Sequence, residues 1–302
     1  MKVLNSFHFG IQRKIIANMT TESWDNIPHI VFNYEPDVTD FVAYCKKLNE
    51  ENGTKISLNT YFLKVIIEGL KAAPILNSHI EFNKKLVRGK VTTFENIDIS
   101  MPMILPNDEM MTITLHDLEN KSVEQIQSEM ADVRRRAENT NLTEAMFEVS
   151  LENTLQALKK GQIRKVVNRL VGSKTGKYRV KTLTGKAKRE YEKIPKEDRI
   201  TKDDIRQGTV TVSNVGSLYR GQRGNVTLLE VVPPQVSTYC LAAVQDRAIV
   251  VTKENGEKEI KVRQVLPICM AIDHRALDFG QSVPFMKRMD EIFANPEEVK
   301  NW

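Results

Sequence analysis

Residues 265–278 read Val265-Leu266-Pro267-Ile268-Cys269-Met270-Ala271-Ile272-Asp273-His274-Arg275-Ala276-Leu277-Asp278, and this stretch decides the fold of the chain. Its apolar first part, 265–272, predicts a buried strand. Helical spacing of apolar residues from Gly280 onward predicts that the chain then turns into a helix. A neutral imidazole can take a proton near neutral pH, so His274 at this strand end is a candidate general base. Asp278 is a candidate for holding the turn.

The alternation of helical and strand patterns along the chain predicts an α/β fold with a mixed sheet flanked by helices. We expect one domain, residues 1–302, because 302 residues with 41% hydrophobic content can bury one large core. The three cysteines lack metal-ligand spacing, so neither a metal site nor a disulfide is expected. The chain has no apolar leader and no run long enough to span a membrane, which together with the cysteine usage predicts a cytoplasmic protein.

The charge of the chain is uneven. Its net charge of +5 is too small to indicate nucleic-acid binding. Residues 159–206 carry 17 Lys and Arg against 6 Asp and Glu. This density predicts a basic helical insertion at about 142–200 that lies on the surface. Two interpretations remain open: a solvated insertion with basic faces, or a docking surface for an acidic partner or polyanionic ligand.

Seven stretches resemble the catalytic domain of the acyltransferase component of 2-oxo acid dehydrogenase complexes, the dihydrolipoamide acyltransferases, and more distantly chloramphenicol acetyltransferase. They occur in family order and cover nearly the whole chain except about 142–200. In chain order they are Arg13-Lys14-Ile15-Ile16-Ala17-Asn18-Met19, Ile27-Pro28-His29, Lys55-Ile56-Ser57-Leu58-Asn59, Asp117-Leu118-Glu119-Asn120-Lys121-Ser122, Gly208-Thr209-Val210-Thr211-Val212-Ser213-Asn214-Val215-Gly216, Pro233-Pro234-Gln235 and Ile272-Asp273-His274-Arg275.

The resemblance implies a chloramphenicol acetyltransferase-like fold and acyl transfer between coenzyme A, as a substrate, and a thiol. It implies a homotrimer, or a multiple of one, with active sites between subunits. His274 matches the catalytic histidine, whose other ring nitrogen is held in the family by its own backbone carbonyl. Ser213 matches the residue that hydrogen-bonds the oxyanion, and Asp278 the residue that supports the histidine loop. Arg13 lies near the position of an arginine that pairs with that aspartate in chloramphenicol acetyltransferase.

Three departures from the family pattern affect the prediction. Phe279 follows Asp278 where the family has glycine, and Gly280 comes one place later. The match begins at about residue 11, so we expect no lipoyl domain, no subunit-binding domain and no lipoyl lysine in this chain. The basic segment at about 142–200 stands where the family has a short connection. The acceptor is then a lipoyl group on a separate protein. Two alternatives stay open: a free small-molecule acceptor, or a catalytically idle scaffold or binding protein with the same fold.

Overall fold

A computed structural model of the chain describes residues 1–104, 110–159 and 161–302. Lys160, which belongs to the predicted insertion, lies outside the described residues. The helices are α1 Ile11–Asn26, α2 Thr39–Asn52, α3 Leu58–Ala72, α4 Val123–Glu138, α5 Leu142–Lys159, α6 Ile163–Lys174, α7 Gly185–Glu192, α8 Lys202–Ile205 and α9 Val283–Ala294. The strands are β1 His29–Tyr34, β2 Ser78–Asn83, β3 Arg88–Thr93, β4 Ile99–Ile104, β5 Met110–Leu115, β6 Val210–Asn214, β7 Ser237–Leu241, β8 Gln245–Thr252, β9 Lys258–Val265 and β10 Ile268–Asp273.

The chain divides into two compact units, each assembled from three segments. The larger unit comprises residues 23–102, 115–130 and 208–302. The smaller unit comprises residues 1–22, 103–114 and 131–207, and so contains the whole predicted insertion. That the chain forms one domain stays a prediction.

The larger unit contains a mixed sheet whose strands are hydrogen-bonded in the order β1-β10-β7-β6-β4. Strand β10 is antiparallel to both of its neighbours, β1 and β7. Strand β6 is parallel to β7 and to β4. The larger unit also contains two separate hairpins, β2-β3 and β8-β9. The predicted class, a mixed α/β sheet with flanking helices, is therefore confirmed.

The apolar run 265–272 does not form the single strand that the sequence predicts. Strand β9 ends at Val265 and pairs with β8, whereas β10 begins at Ile268 and enters the central sheet. Pro267 lies between them, and a proline has no N–H to donate to a strand ladder. The run therefore ends one hairpin and begins a central strand.

Helix α3 supplies much of the buried core of the larger unit. Ser57 caps it by accepting a hydrogen bond from the backbone N–H of Thr60, which satisfies one of the free donors of the first turn. Ten of its fifteen residues are buried. Gly69 faces α9, where an added Cβ would approach the Phe285 ring to 2.7 Å. Helix α9, which follows the His274 turn, is thereby packed closely on the core.

Ion pairs within the smaller unit join the basic segment to the end of α4. Arg136 contacts Asp204 at 2.7 Å, and Arg135 contacts Asp198 at 2.7 Å. Tyr191 and Ile200 are buried. None of the helices in the described ranges is long and apolar enough to cross a membrane.

Candidate active site

His274 lies one residue beyond the end of β10, in a turn fixed by backbone hydrogen bonds. Its N–H donates to the carbonyl of Pro28 at 2.9 Å, and the N–H of Leu277 donates to the carbonyl of Asp273 at 3.1 Å. The ring Nδ1 is 3.1 Å from the carbonyl oxygen of Leu277. A carbonyl can only accept, so Nδ1 carries the proton and Nε2 keeps its lone pair. The imidazole is 48% exposed, so Nε2 is accessible as a base.

The carbonyl that holds the ring differs from the one expected from the resemblance. The family pattern implies the backbone carbonyl of the histidine itself, whereas here the carbonyl belongs to Leu277, three residues on. The chemical consequence is the same, because either acceptor fixes the tautomer with Nδ1 protonated. The turn at 274–277 supplies this acceptor.

The strand end beneath His274 is anchored by an ion pair that the sequence-based prediction missed. Asp273 is fully buried, and its carboxylate accepts from the Arg275 guanidinium at 2.6 and 3.0 Å. It also accepts from the backbone N–H of Arg275 at 2.9 Å. In the sequence, the only sign of this ion pair is that an acidic residue, Asp273, and a basic residue, Arg275, stand on either side of His274. Because these three bonds fix the residues on both sides of His274, they orient the base.

Replacing Arg275 with methionine is expected to destabilise the protein by about 3–5 kcal/mol, because the carboxylate of Asp273 would stay buried without its cation. Urea unfolding followed by circular dichroism measures the change. The matched control is Arg288→Met, which removes the cation from the partly exposed pair with Glu298 and is expected to cost about 1 kcal/mol or less. Equal losses in the two variants would contradict the anchoring role of Asp273 and Arg275.

Asp278 lies beside His274 but is largely solvated. Its Oδ1 is 3.6 Å from Nδ1 of His274, and its side chain is 85% exposed. Its backbone N–H donates to the side chain of Gln281 at 2.9 Å, which ties the turn to the start of the next helix. Phe279 packs edge-on against Phe32 of β1, with the ring centroids 5.2 Å apart. Phe279 is therefore accommodated beside the sheet.

Changing Asp278 to asparagine is expected to lower turnover by less than about tenfold, because an exposed ion pair contributes little and the backbone contacts of the turn remain. Steady-state kinetics of the purified variant measure it. A loss as large as that of a His274 variant would show that the charge of Asp278 is required.

His29 lies beside this turn, because β1 pairs with β10 in a register that sets His29 opposite Asp273. Its Nε2 accepts a hydrogen bond from the backbone N–H of Val231 at 3.1 Å. Burial lowers the pKa of His29, against the raising effect of Asp273 among others. A neutral imidazole already used as an acceptor is poorly suited to act as a base, which favours a structural role for His29.

Ser213 lies near the end of β6, half-buried, in register with Cys240 of β7 and so with Cys269 of β10. Burial raises the pKa of the Cys240 thiol, against the lowering effect of hydrogen bonds from the Val215 backbone and the Ser213 hydroxyl. The thiol therefore stays protonated beside the serine. Gly216 lies just beyond β6 and packs against the backbone of Ala242, which an added Cβ would approach to 2.5 Å.

The structure does not bring Ser213 and His274 together within one chain. The register places Ser213 level with Cys269, five residues before His274 and two strands away. At about 3.3 Å per residue and about 4.8 Å per strand, the two positions are roughly 19 Å apart. A site that uses both residues therefore needs a second copy of the chain.

Arg13 belongs to α1, in the part of that helix that lies in the smaller unit. Its pairing with Asp278 stays a prediction. Within the described ranges, no group of three His, Cys, Asp or Glu side chains is arranged to hold a metal ion. His274 and Ser213 lie toward opposite ends of the sheet.

The model of the family of 2-oxoacid dehydrogenases acyltransferases (catalytic domain) matches residues 7–150 and 177–300. The chain belongs to this family. The matched segments omit residues 151–176, which lie inside the predicted insertion.

Curated relatives agree with this assignment. The chain is 23% identical over 294 residues to the lipoamide acyltransferase component of the branched-chain alpha-keto acid dehydrogenase complex of Bacillus subtilis, covering 96% of this chain and 52% of the relative. It is 21% identical to the mitochondrial dihydrolipoyllysine-residue acetyltransferase component of the pyruvate dehydrogenase complex of Dictyostelium discoideum, covering 94% of this chain and 34% of the relative. The chain thus spans about half or less of the length of these relatives.

Solved structures show the same fold. A probable dihydrolipoamide acetyltransferase from Listeria monocytogenes superposes with a TM-score of 0.64 at 19% identity, covering 98% of this chain and 95% of the other. The Azotobacter vinelandii dihydrolipoamide acetyltransferase superposes with a TM-score of 0.64 at 17% identity, covering 99% of this chain and 94% of the other. In the Azotobacter enzyme a serine, a histidine and an asparagine were investigated for their role in catalysis. The predicted family and its chloramphenicol acetyltransferase-like fold are therefore confirmed.

Proposed function

We propose that this chain transfers an acyl group between coenzyme A and the thiol of a dihydrolipoyl-type acceptor. The observation that carries the proposal is the His274 imidazole, whose Nδ1 is held by the Leu277 carbonyl and whose Nε2 is left free. The relatives whose names describe lipoamide or dihydrolipoyllysine acyltransferases support this acceptor. The domain is then one catalytic unit, and its acceptor group resides on a separate lipoyl-bearing protein.

In the proposed reaction His274 moves the proton and Ser213 stabilises the developing negative charge. Nε2 of His274 takes the proton of the attacking thiol, and the resulting thiolate sulfur forms a bond to the thioester carbonyl carbon. The hydroxyl of Ser213 donates a hydrogen bond to the oxygen that becomes negative. When the tetrahedral intermediate collapses, its bond to the departing sulfur breaks, and the proton on His274 passes to that thiolate. No bond forms between the acyl group and the protein, and the reverse transfer uses the same groups.

The roughly 19 Å between Ser213 and His274 in one chain supports a closed oligomer, a trimer or a multiple of one, with each site formed by two subunits. A cytoplasmic location stays a prediction; the three cysteines are free and buried, which fits a reducing compartment. The acidic partner predicted for the basic insertion also stays a prediction.

Mixed oligomers of His274→Ala and Ser213→Ala chains are expected to regain activity that neither variant has alone. In a mixed trimer of either composition, one of the three subunit contacts pairs an intact histidine with an intact serine, so roughly a third of wild-type turnover should return. Co-expression with two affinity tags isolates the mixed oligomers, and chromatographic measurement of the coenzyme A formed from acyl-coenzyme A in the presence of dihydrolipoamide gives the turnover. Activity no higher than that of the single variants would contradict a shared site.

The acceptor is tested separately with the wild-type protein. Dihydrolipoamide is expected to give the highest kcat/KM in a panel of thiols, alcohols and amines offered with acyl-coenzyme A. Preference for a small alcohol or amine would favour the free small-molecule alternative. Coenzyme A binding without transfer to any acceptor would favour the idle scaffold.

A further inference from the structure

Helices α5 and α6 expose a row of aliphatic side chains, and all of it lies in the segment that the family match omits, 151–176. Seven side chains, each between 39% and 64% exposed, form this apolar face: Leu151, Leu155, Leu158, Ile163, Val167, Leu170 and Val171. Contiguous exposed apolar patches of this kind mark interaction surfaces in soluble proteins.

The apolar face is additional to the sides of α5 and α6 that already pack within the smaller unit. On α5, the spacing of Leu151, Leu155 and Leu158 places them on one side of the helix, and the opposite side carries the buried Leu142 and Met146. On α6, Ile163, Val167, Leu170 and Val171 follow the same spacing, while Val166 is buried. Packing within the smaller unit therefore buries the inner sides of the two helices, whereas the side chains of the apolar face stay exposed.

The charge around the apolar face is predominantly positive, and the acidic residue next to Leu151, Glu152, is ion-paired with Lys202 and Arg206. Residues 153–189 contain 12 Lys and Arg and no Asp or Glu. Lys159 and Arg164 are exposed next to the apolar side chains. A second copy of this chain that used the same face would bring the same positive charge against it, which opposes self-association by a two-fold contact through this face. The occupant that fits is anionic.

We propose that the apolar face binds the surface of an anionic phospholipid bilayer, with α6 and the second half of α5 lying in the plane of the headgroups. Basic amphipathic helices bind in this way: aliphatic side chains enter the acyl boundary while Lys and Arg contact lipid phosphates. The centres of protein–protein interfaces are enriched in aromatic residues, and the apolar face consists of Leu, Ile and Val alone. The proposal goes beyond acyl transfer and does not depend on it.

Vesicle sedimentation with the full chain tests the proposal. The protein is expected to co-sediment with vesicles of equal parts phosphatidylglycerol and phosphatidylcholine at least about tenfold more strongly than with pure phosphatidylcholine vesicles. Added salt should weaken the binding, because it screens the attraction between lysines, arginines and lipid phosphates. Failure to bind the anionic vesicles at low salt would overturn the proposal.

Two variants separate the apolar and charged contributions. The apolar variant Leu155→Gln, Val167→Gln, Val171→Gln and the charge variant Lys159→Gln, Arg164→Gln, Arg169→Gln are each expected to lose at least about tenfold in vesicle binding. Glutamine keeps helix propensity, and thermal unfolding confirms that both variants fold. The control is Ile260→Thr, Val262→Thr, which changes two exposed apolar residues of β9 and is expected to leave binding unchanged.

Three outcomes would overturn the proposal. Unchanged vesicle binding in the apolar variant would show that charge alone accounts for the binding and that the apolar side chains do not contribute. A smaller oligomer in light scattering of the apolar variant would identify a second copy as the occupant. Tighter binding of the protein to polyglutamate than to anionic vesicles of equal total charge would identify an acidic protein as the occupant. Turnover is measured in parallel, so failure of the acyl-transfer proposal remains distinguishable.

Discussion

Replacing His274 with alanine is expected to lower turnover by about 10³-fold or more while coenzyme A binding stays within about threefold of the wild type. The reason is that the imidazole is the one group at this strand end with a free lone pair and a fixed tautomer, because Nδ1 donates to the Leu277 carbonyl. Steady-state kinetics measure turnover, and calorimetry with coenzyme A measures binding. Wild-type turnover in His274→Ala would exclude this histidine as the base.

The matched variant is His274→Asn. The amide of asparagine can donate to the Leu277 carbonyl much as Nδ1 does, but it has no group equivalent to Nε2. If His274 acts as the base, His274→Asn should be as inactive as His274→Ala and fold as stably as the wild type. Substantial activity in His274→Asn would instead mean that the contact with Leu277 matters and proton transfer does not.

Replacing Ser213 with alanine is expected to lower kcat by about 100-fold with little change in KM for coenzyme A, the usual effect of removing one donor to a developing oxyanion. Ser213 lies half-buried near the end of β6, toward the opposite end of the sheet from His274. Single-turnover kinetics isolate the chemical step. A rise in KM with unchanged kcat would mean that Ser213 contributes to substrate binding instead.

The neighbouring thiol supplies the control for Ser213. Cys240 is paired in register with Ser213 and buried, so Cys240→Ala removes the thiol contact but leaves the hydroxyl in place. We expect Cys240→Ala to reduce kcat by less than about tenfold. A loss equal to that of Ser213→Ala would show that Ser213 acts through its packing against β7 and would contradict its role as an oxyanion donor.

Local sequence patterns were sufficient where a feature depends on neighbours along the chain. The capping serine and the apolar residues of α3 are sufficient to predict a buried helix, because helix spacing and end capping are local properties. The apolar run before His274 predicted a core strand, and β10 is that strand. Its beginning was misplaced, because an apolar run does not reveal which of its residues pair with which strand. Only the pairing partners separate β9 from β10 around Pro267.

The ion pair of Asp273 and Arg275 illustrates a second limit. Charged residues on both sides of His274 are visible in the sequence, but their burial is not. Asp273 is fully buried at the end of β10, a strand that lies between β1 and β7 in the sheet. A carboxylate in that position requires a cation, and Arg275 is two residues away. The pattern could have indicated this pair only if the two neighbouring strands had been known.

The sequence by itself determined the family, the strand that carries His274, and the dense positive charge of the insertion, because each is set by residue identities and short spacings. Tertiary structure alone decided that His29 lies opposite Asp273 and that the Leu277 carbonyl holds the imidazole. It also decided that Ser213 lies at the far end of the sheet from His274, and that α5 and α6 leave an apolar face exposed. Strand order and helix packing arise from contacts between residues far apart in the chain, so no local pattern encodes them.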